Sequence, residues 1–477
     1  MSDPLHERAL VAETLKRAAE TAQRFLAGID TDLVRRPRAD AAVAGLRADF
    51  PEEGDGALAA IDELASASDG VLRASGPRFF HWVIGGDTPA ALAADWLTSA
   101  WDQNAAAYDA TPLGTVCEEI ALAWLKQLFG LPEAWSGVLT TGATMANFTG
   151  LAAARAWWAE RLGVDVDRRG FATLPAVPVL SSGYIHPSAT KALGMLGIGR
   201  ESVRRFARDD AGRLDLPALE RSLRDLGGAP AIIVANAGEV NAGDFDPIDA
   251  MAALAERYDA WLHVDGAFGL FAAVSPRTSR LVAGIGRAHS VIADGHKWLN
   301  VPYDCGFAFV RDARLLSGPF GIGAAYLPMP GEHPMFAALG PEASRRARGI
   351  AVWATLRAYG RAGYRAMVER HLDLAQHLAR RVDDAPDLER LADVPLNIVC
   401  FRYRPDDARP EELDALNLRI GAEVLADGRV YVGTTRYRGM AAFRPAIVNW
   451  RTSAADVDLL VDVVRELGAR QRAAASV

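Results

Sequence analysis

Val291-Ile292-Ala293-Asp294-Gly295-His296-Lys297-Trp298 is an apolar run that ends in a polar turn carrying one lysine between a histidine and a tryptophan. Of the 52 basic residues only Lys16, Lys126, Lys191 and Lys297 are lysines, so arginine is the default cation and each lysine can be questioned singly. Lys16 and Lys126 fall on polar faces of helical patterns, and Lys191 sits in a solvated helical stretch after His186. Lys297 alone closes a strand of buried character, with Trp298 beside it and a second apolar strand, Gly306 to Val310, following. Partial desolvation there lowers the pKa of an amine and frees its lone pair to attack a carbonyl. The alternative is an ordinary snorkelling lysine.

The surrounding chain alternates. Strands are predicted at Val177–Leu180, Val203–Phe206, Ala231–Ala235, Trp261–Val264 and Ser290–Ala293, with helices at His186–Leu196, Leu216–Leu226 and Pro247–Tyr258. Such alternation implies an α/β fold, a mostly parallel sheet covered on both faces, with ligands outside the carboxyl ends of the strands. His186, Asp265 and Lys297 all fall at strand ends although they are far apart in sequence. Gly137 to Phe148 reads as strand, tight turn and helix, with Ala143 and Thr144 at the helix start. Free N–H groups, the helix dipole and Thr144 as cap would suit a phosphate dianion there. Thr or Ser opens many helices merely as a cap. Asp265 likewise has a plain reading as a turn cap, and His186 as a surface histidine.

Length and composition narrow the function classes. A chain of 477 residues, 50% hydrophobic and 23% charged, can bury a large core in two or three domains. A formal charge of −8 gives no basic footprint for nucleic acid, so a small-molecule substrate is expected. Cys117, Cys305 and Cys400 are too few and too scattered for a disulfide framework or a zinc cluster, and no H-E-x-x-H occurs, so no metal is expected and a reducing cytoplasm fits. No cleavable signal or long apolar run appears, which predicts a protein outside the membrane. The glycines of Gly194 to Gly199 follow a helix and do not form G-x-G-x-x-G, which sets a dinucleotide site aside.

His296-Lys297-Trp298 with Val301 to Gly306 resembles the cofactor-lysine segment of the pyridoxal-phosphate group II amino-acid decarboxylases, and the likeness runs in order from about Gly76 to about Thr452. The resemblance implies a fold-type-I homodimer that binds pyridoxal 5'-phosphate and decarboxylates an L-amino acid, an aromatic one being favoured. It assigns the cofactor to Lys297, Ala143, Thr144, His186, Asp265, Ala267, Ser290 and His296. Asp265 would face the pyridine nitrogen and keep it protonated, Ala267 would pack on the ring, and His186 would stack on it. The segment Gly76 to Trp82 places His81 and Trp82 on the substrate side, and a second pocket segment contributes Asn104. Met145 departs from a common glutamate, and Glu239 and Val240 stand where the family has a pair of threonines.

One departure bears on the product. After Tyr326, the segment up to Ser344 contains no tyrosine, whereas the family's loop there carries one that returns a proton to carbon. His333 is the substitute donor, or Phe336 occupies the loop tip. A phenylalanine at the tip accompanies oxidative decarboxylation-deamination to an aldehyde in related enzymes, which is the alternative outcome. An aldolase or transaminase, or an inactive protein keeping the fold for binding, are the further readings. The division expected is residues 1–88 as a helical dimerisation segment, 89–360 as the large cofactor domain and 361–477 as a small α+β domain. The latter is predicted to hold strands at Asn397–Arg402, Val430–Gly433 and Ala441–Asn449.

Overall fold

The computed structural model describes residues 3–323 and 331–475. Among these, seven strands form the main sheet: β1 (Ser136–Thr140), β2 (Val179–Ser181), β3 (Val203–Arg205), β4 (Ala231–Asn236), β5 (Ala260–Asp265), β6 (Ser290–Asp294) and β7 (Gly306–Val310). Their order is β1-β7-β6-β5-β4-β2-β3. The pairs from β3 through β6 are parallel, and β7 runs antiparallel to both β6 and β1. Every residue of β4, β5, β6 and β7 is buried, as the unbroken apolar runs require of strands covered on both faces. Asn236 pairs with Asp265, and Asp265 with Ile292, so the carboxyl ends of β4, β5 and β6 are level and their loops leave along one edge.

The helix Ala143–Arg161 packs on this sheet with Asn147 and Leu151 buried among Ala146, Gly150, Ala153 and Ala154, small residues that let its axis come close. It continues past Ala154 because Trp157 and Trp158 carry the buried face on.

A second sheet, β8 (Leu388–Arg390), β9 (Phe401–Tyr403), β10 (Thr434–Tyr437) and β11 (Met440–Phe443), is antiparallel in the order β10-β11-β9-β8. It corrects the sequence expectation at three places: the strand expected over Asn397–Arg402 begins only at Phe401. Val430–Gly433 is not one of its strands, because Tyr431 instead bonds to the early segment, donating to Arg78 O at 3.0 Å and accepting from Phe80 N at 2.8 Å. The strand expected over Ala441–Asn449 stops at Phe443, ahead of Pro445, which has no N–H to give a ladder. A long helix runs from Gly349 to Asp383, with a kink at Gly360 (φ +57°) that only glycine takes without strain.

The N-terminal segment is helical at Val11–Ala27, Ala39–Ala44 and Ala57–Ser66. The first of these buries no residue fully, and Leu5, Val11 and Leu15 stay exposed. Among the described residues no helix is long and apolar enough to cross a membrane.

Candidate active site

β6 delivers Asp294 and the turn Gly295–Leu299, whose helical path breaks at Lys297 (φ −94°, ψ −107°). The turn is held from several sides. Trp298 is fully buried and its indole N–H donates to His371 Nδ1 at 2.8 Å, while His371 Nε2 donates to Asn449 O at 2.9 Å. The Asn300 amide donates to Trp298 O and Val448 O and accepts from Trp450 N. Gly85 N donates to His296 O, and a Cβ on Gly85 would stand 1.7 Å from Lys297 O, so this approach excludes any other residue.

Lys297 Nζ lies 3.0 Å from Asp294 Oδ2, a carboxylate side chain only 2% exposed. His296 Nε2 is 3.6 Å from the same oxygen, its Nδ1 accepts from Cys305 N at 3.3 Å, and its ring stacks on Tyr303. Asp294 Oδ1 is buried without a hydrogen-bond partner. The turn before the helix Ala143–Arg161 comes to the same place, since a Cβ on Gly142 (φ +148°) would meet His296 Cε1 at 2.9 Å and Asp294 Oδ1 at 3.4 Å.

One cavity of about 210 Å³ opens beside Lys297, and its walls include Trp82, Tyr184, His186, Glu239, Asp265, Ala267, Phe268 and Arg444. Asp265 Oδ2 accepts from Asn147 Nδ2 at 2.9 Å, and Oδ1 from Ala267 N at 3.2 Å. His186 caps the helix Pro187–Met195, its Nδ1 accepting from Ser188 N, which leaves Nε2–H as the ring's donor. Burial pushes its pKa below the usual histidine range, against the pull of Asp265, so the ring is neutral at pH 7.

Thus Trp82, His186, Asp265, Ala267 and Lys297 share one cavity; His296 lies beside it through Asp294, and Ala143 and Thr144 follow directly on Gly142, whose backbone comes up to both. Four other expected positions lie elsewhere. Ser290 begins β6, is fully buried, and its hydroxyl is engaged by Trp261 and His263, so it has no surface to offer a ligand. His81 turns toward the C-terminal segment, where Nδ1 accepts from Gly433 N at 2.9 Å. Asn104 is exposed and accepts from Arg345 N at 2.9 Å. His333 stacks on Tyr108 at 4.0 Å and bonds to Glu119 at 2.8 Å, outside the lining of the cavity. Phe336 is 1% exposed beneath the Arg345 guanidinium, a core residue and no loop tip. Tyr326 lies outside the described residues.

Thr144 is also placed differently from its expected role as cap. The residue before the helix is Gly142, no side chain caps the first turn, and Thr144 is the second helical residue. The leading N–H groups therefore lack intrahelical partners, and together with Thr144 they form an uncapped anion cradle. That cradle, a half-buried lysine at a strand end and the doubly bonded Asp265 fit the phosphate, aldehyde and ring nitrogen of pyridoxal phosphate.

Two cavity residues carried no sequence signal of a role. Arg444 reaches the site from the segment after β11 and donates to Trp82 O at 2.5 Å. Burial lowers its pKa, with Glu239 opposing. Glu239, noticed only as a departure, accepts from Asn241 N, Asn241 Nδ2 and Ala242 N; burial raises its pKa against those bonds. Asp294 was in plain view in the sequence, but only the fold turns it toward Lys297.

The chain is similar to known proteins over most of its length. Residues 42–404 match the pyridoxal-dependent decarboxylase conserved domain. The L-2,4-diaminobutyrate decarboxylase of Rhizobium meliloti (strain 1021) is 32% identical over 436 residues, 87% of this chain and 83% of that protein. The aromatic-L-amino-acid decarboxylase of Bacillus atrophaeus is 30% identical over 390 residues, 80% and 79% of the two chains. The crystal structure of Oryza sativa TDC with PLP and tryptamine superposes with a TM-score of 0.90 at 24% identity, covering 99% of this chain and 100% of that one; it shows the likeness of fold.

Proposed function

This chain belongs to the pyridoxal-dependent decarboxylase family and is a pyridoxal-phosphate-dependent carboxy-lyase acting on amino acids; from that premise we propose that its substrate is an aromatic L-amino acid and its product the amine. The observation that carries the substrate reading is the wall of Trp82, Tyr184 and Phe268 beside Lys297, three faces on which a ring can pack. Likeness to the Bacillus atrophaeus enzyme supports it.

In this reading Lys297 holds the aldehyde carbon of the cofactor, Asp265 its ring nitrogen, Ala267 and His186 its two faces, and Ala143, Thr144 and His296 its phosphate. Pyridoxal phosphate, when bound, supplies the electron sink that accepts the bonding pair of the departing carboxylate. The chain's own residues do the rest. Arg444 gives the cavity a cation that can meet a carboxylate, and Glu239 offsets part of that charge. Such tempering matters because a cation that binds the carboxylate equally before and during bond breaking adds no rate. Trp82, Tyr184 and Phe268 narrow the space open to water. The proton that Cα needs afterwards comes from Lys297 Nζ, an amine of this cavity that can give one up and return to its resting state, while neutral His186 serves to pack and orient.

We extend the proposal to a homodimer of the three segments 1–88, 89–360 and 361–477. Exposed Leu5, Val11, Leu15, Trp96, Leu97 and Trp101 support it, and Asn104 and His333 can serve a cavity only in a second copy. Purified enzyme given a panel of aromatic, acidic and diamino L-amino acids, with carbon dioxide, amine, aldehyde and peroxide scored together, tests the reading. Amine in step with carbon dioxide from aromatic substrates is expected. Preference for the diamino acid overturns the substrate, and aldehyde with peroxide overturns the product. Borohydride is expected to fix the cofactor on Lys297, and a reducible adduct persisting in Lys297→Ala overturns that anchor.

A further inference from the structure

Behind Asp265, away from the cavity, four side chains form an unbroken chain of hydrogen bonds. Trp261 Nε1 is 2.9 Å from Ser290 Oγ; Ser290 Oγ is 2.8 Å from His263 Nδ1; His263 Nε2 is 2.8 Å from Asn147 Oδ1; and Asn147 Nδ2 is 2.9 Å from Asp265 Oδ2. Asn147, His263 and Ser290 are fully buried and Trp261 is 1% exposed. His263 and Ser290 face each other across neighbouring strands, in register between β5 and β6. Gly150 closes the chain off from the helix side: a Cβ there would meet His263 Cε1 at 2.9 Å and Ser290 Cβ at 3.4 Å.

The donor directions in this chain follow from giving every buried proton an acceptor. An indole N–H can only donate, so Ser290 Oγ accepts from Trp261; its other partner is His263 Nδ1, and a fully buried hydroxyl proton left without an acceptor is costly, so it donates there. With Nδ1 an acceptor, the neutral imidazole carries its proton on Nε2 and donates to Asn147 Oδ1. The Asn147 amide is thereby oriented with its N–H₂ toward Asp265. Burial pushes His263 down to about 4, which keeps the ring neutral and this single tautomer in place at pH 7.

We propose that Trp261, Ser290, His263 and Asn147 are positioning residues that lock Asp265 as an acceptor-only carboxylate toward the cofactor's ring nitrogen. The inference rests on the reading of Asp265 as that nitrogen's partner. Its physical content is polarity. A donor on Oδ2 stabilises the ionised carboxylate; were the chain reversed, Asn147 would present Oδ1 to Asp265, and two acceptors in contact would favour protonating the carboxyl. Ser290 is the switch point. In Ser290→Ala the imidazole loses the hydroxyl that donates to Nδ1, the Nδ1–H tautomer becomes competitive, and Asn147 can turn over.

The test uses the intact enzyme with pyridoxal phosphate bound and no substrate. Histidine ¹⁵N spectra are expected to show His263 protonated on Nε2 and not on Nδ1. With cofactor labelled at the ring nitrogen, wild type is expected to show that nitrogen protonated at pH 7.5, and Ser290→Ala and Asn147→Leu to shift it toward the deprotonated position. Turnover should fall on the order of tenfold with KM nearly unchanged, the scale set by one buried polar group left unsatisfied. Ser290→Thr, which keeps the hydroxyl, should restore the ring-nitrogen signal. An Nδ1–H tautomer in wild type overturns the proposal whatever the variants do. So does a Ser290→Ala enzyme whose thermal midpoint drops while its ring-nitrogen signal stays in place, since that is the mark of a merely structural network. Because both spectra are read without substrate, failure of the assigned reaction leaves this test intact. An Asp265→Asn enzyme with an unchanged ring-nitrogen signal would instead sink the reading of Asp265 itself.

Discussion

Gly85→Ala is a one-carbon substitution outside the cavity that should damage the site more than the scaffold. The added Cβ would lie 1.7 Å from Lys297 O, 2.9 Å from its carbonyl carbon and 3.0 Å from Asn300 Cγ. All are atoms of the turn that presents the lysine, and none is the end of a flexible side chain. An ordinary carbon–oxygen contact needs about 3.5 Å, so the two backbones must part by well over an ångström. At stake are the bonds from Gly85 N to His296 O and from Thr88 N to Asn300 O. Overpacking of this kind costs about 1–3 kcal/mol, and each of the two strained hydrogen bonds about 1 kcal/mol more, so a loss of about 3–5 kcal/mol is expected. Displacing a reacting amine by about 1 Å costs on the order of a hundredfold in rate. Denaturant unfolding followed by fluorescence, run beside turnover and borohydride trapping of the cofactor on Lys297, measures both effects. Gly45→Ala is the control, because a Cβ there meets nothing within 4 Å and φ is −66°; it should be neutral or slightly stabilising. Wild-type stability and turnover in Gly85→Ala would refute the argument that this approach holds the lysine turn.

Asp265→Asn keeps the shape and removes the charge, and should lower turnover by about 10²–10³, the cost of one preorganised electrostatic contact; turnover within a factor of three of wild type would reduce Asp265 to a turn cap. Arg345→Met strands Glu118 in a pair whose side chains are 1% and 0% exposed at 2.8 Å, and should cost about 3–5 kcal/mol in urea unfolding; a loss below about 1 kcal/mol would show the site relaxes or hydrates. Burial holds His81, His263 and His289 down at about 4 and His371 at about 3, so the unfolded chain binds more protons than the folded one. Their stabilisation is complete above the unfolded value near 6.5 and is lost as pH falls toward 4. Asp87 and Asp246, raised by burial to about 6, act in the opposite sense from pH 6 downward. The four histidines outweigh the two carboxyls, so the thermal midpoint should fall between pH 6.5 and 4, and a flat or rising midpoint over that range would contradict this balance.

The sheet was legible in the chain, because unbroken apolar runs such as Ile232–Ala235 and Val291–Ala293 between helical patterns have few other places to be stable. The sequence also marked Lys297, Asp265 and His186, each set apart by chemistry at the end of a strand or the start of a helix. What tertiary structure decided was the direction in which side chains point. A serine at the start of β6 reads the same whether its hydroxyl faces a ligand or a neighbouring histidine, and the β5–β6 register settles Ser290 on His263. Arg444 is distant from every motif in the chain, and only the return of the C-terminal segment beside Trp82 brings it to Lys297. Asn104 and His333 match pocket positions in one dimension, yet they meet each other's segments, as Ala337 N bonds to Ala106 O and Arg345 N to Asn104. Local pattern encodes which face of an element is apolar; which polar groups come together depends on hydrogen-bond partners tens to hundreds of residues away, and no period or spacing in the chain records those.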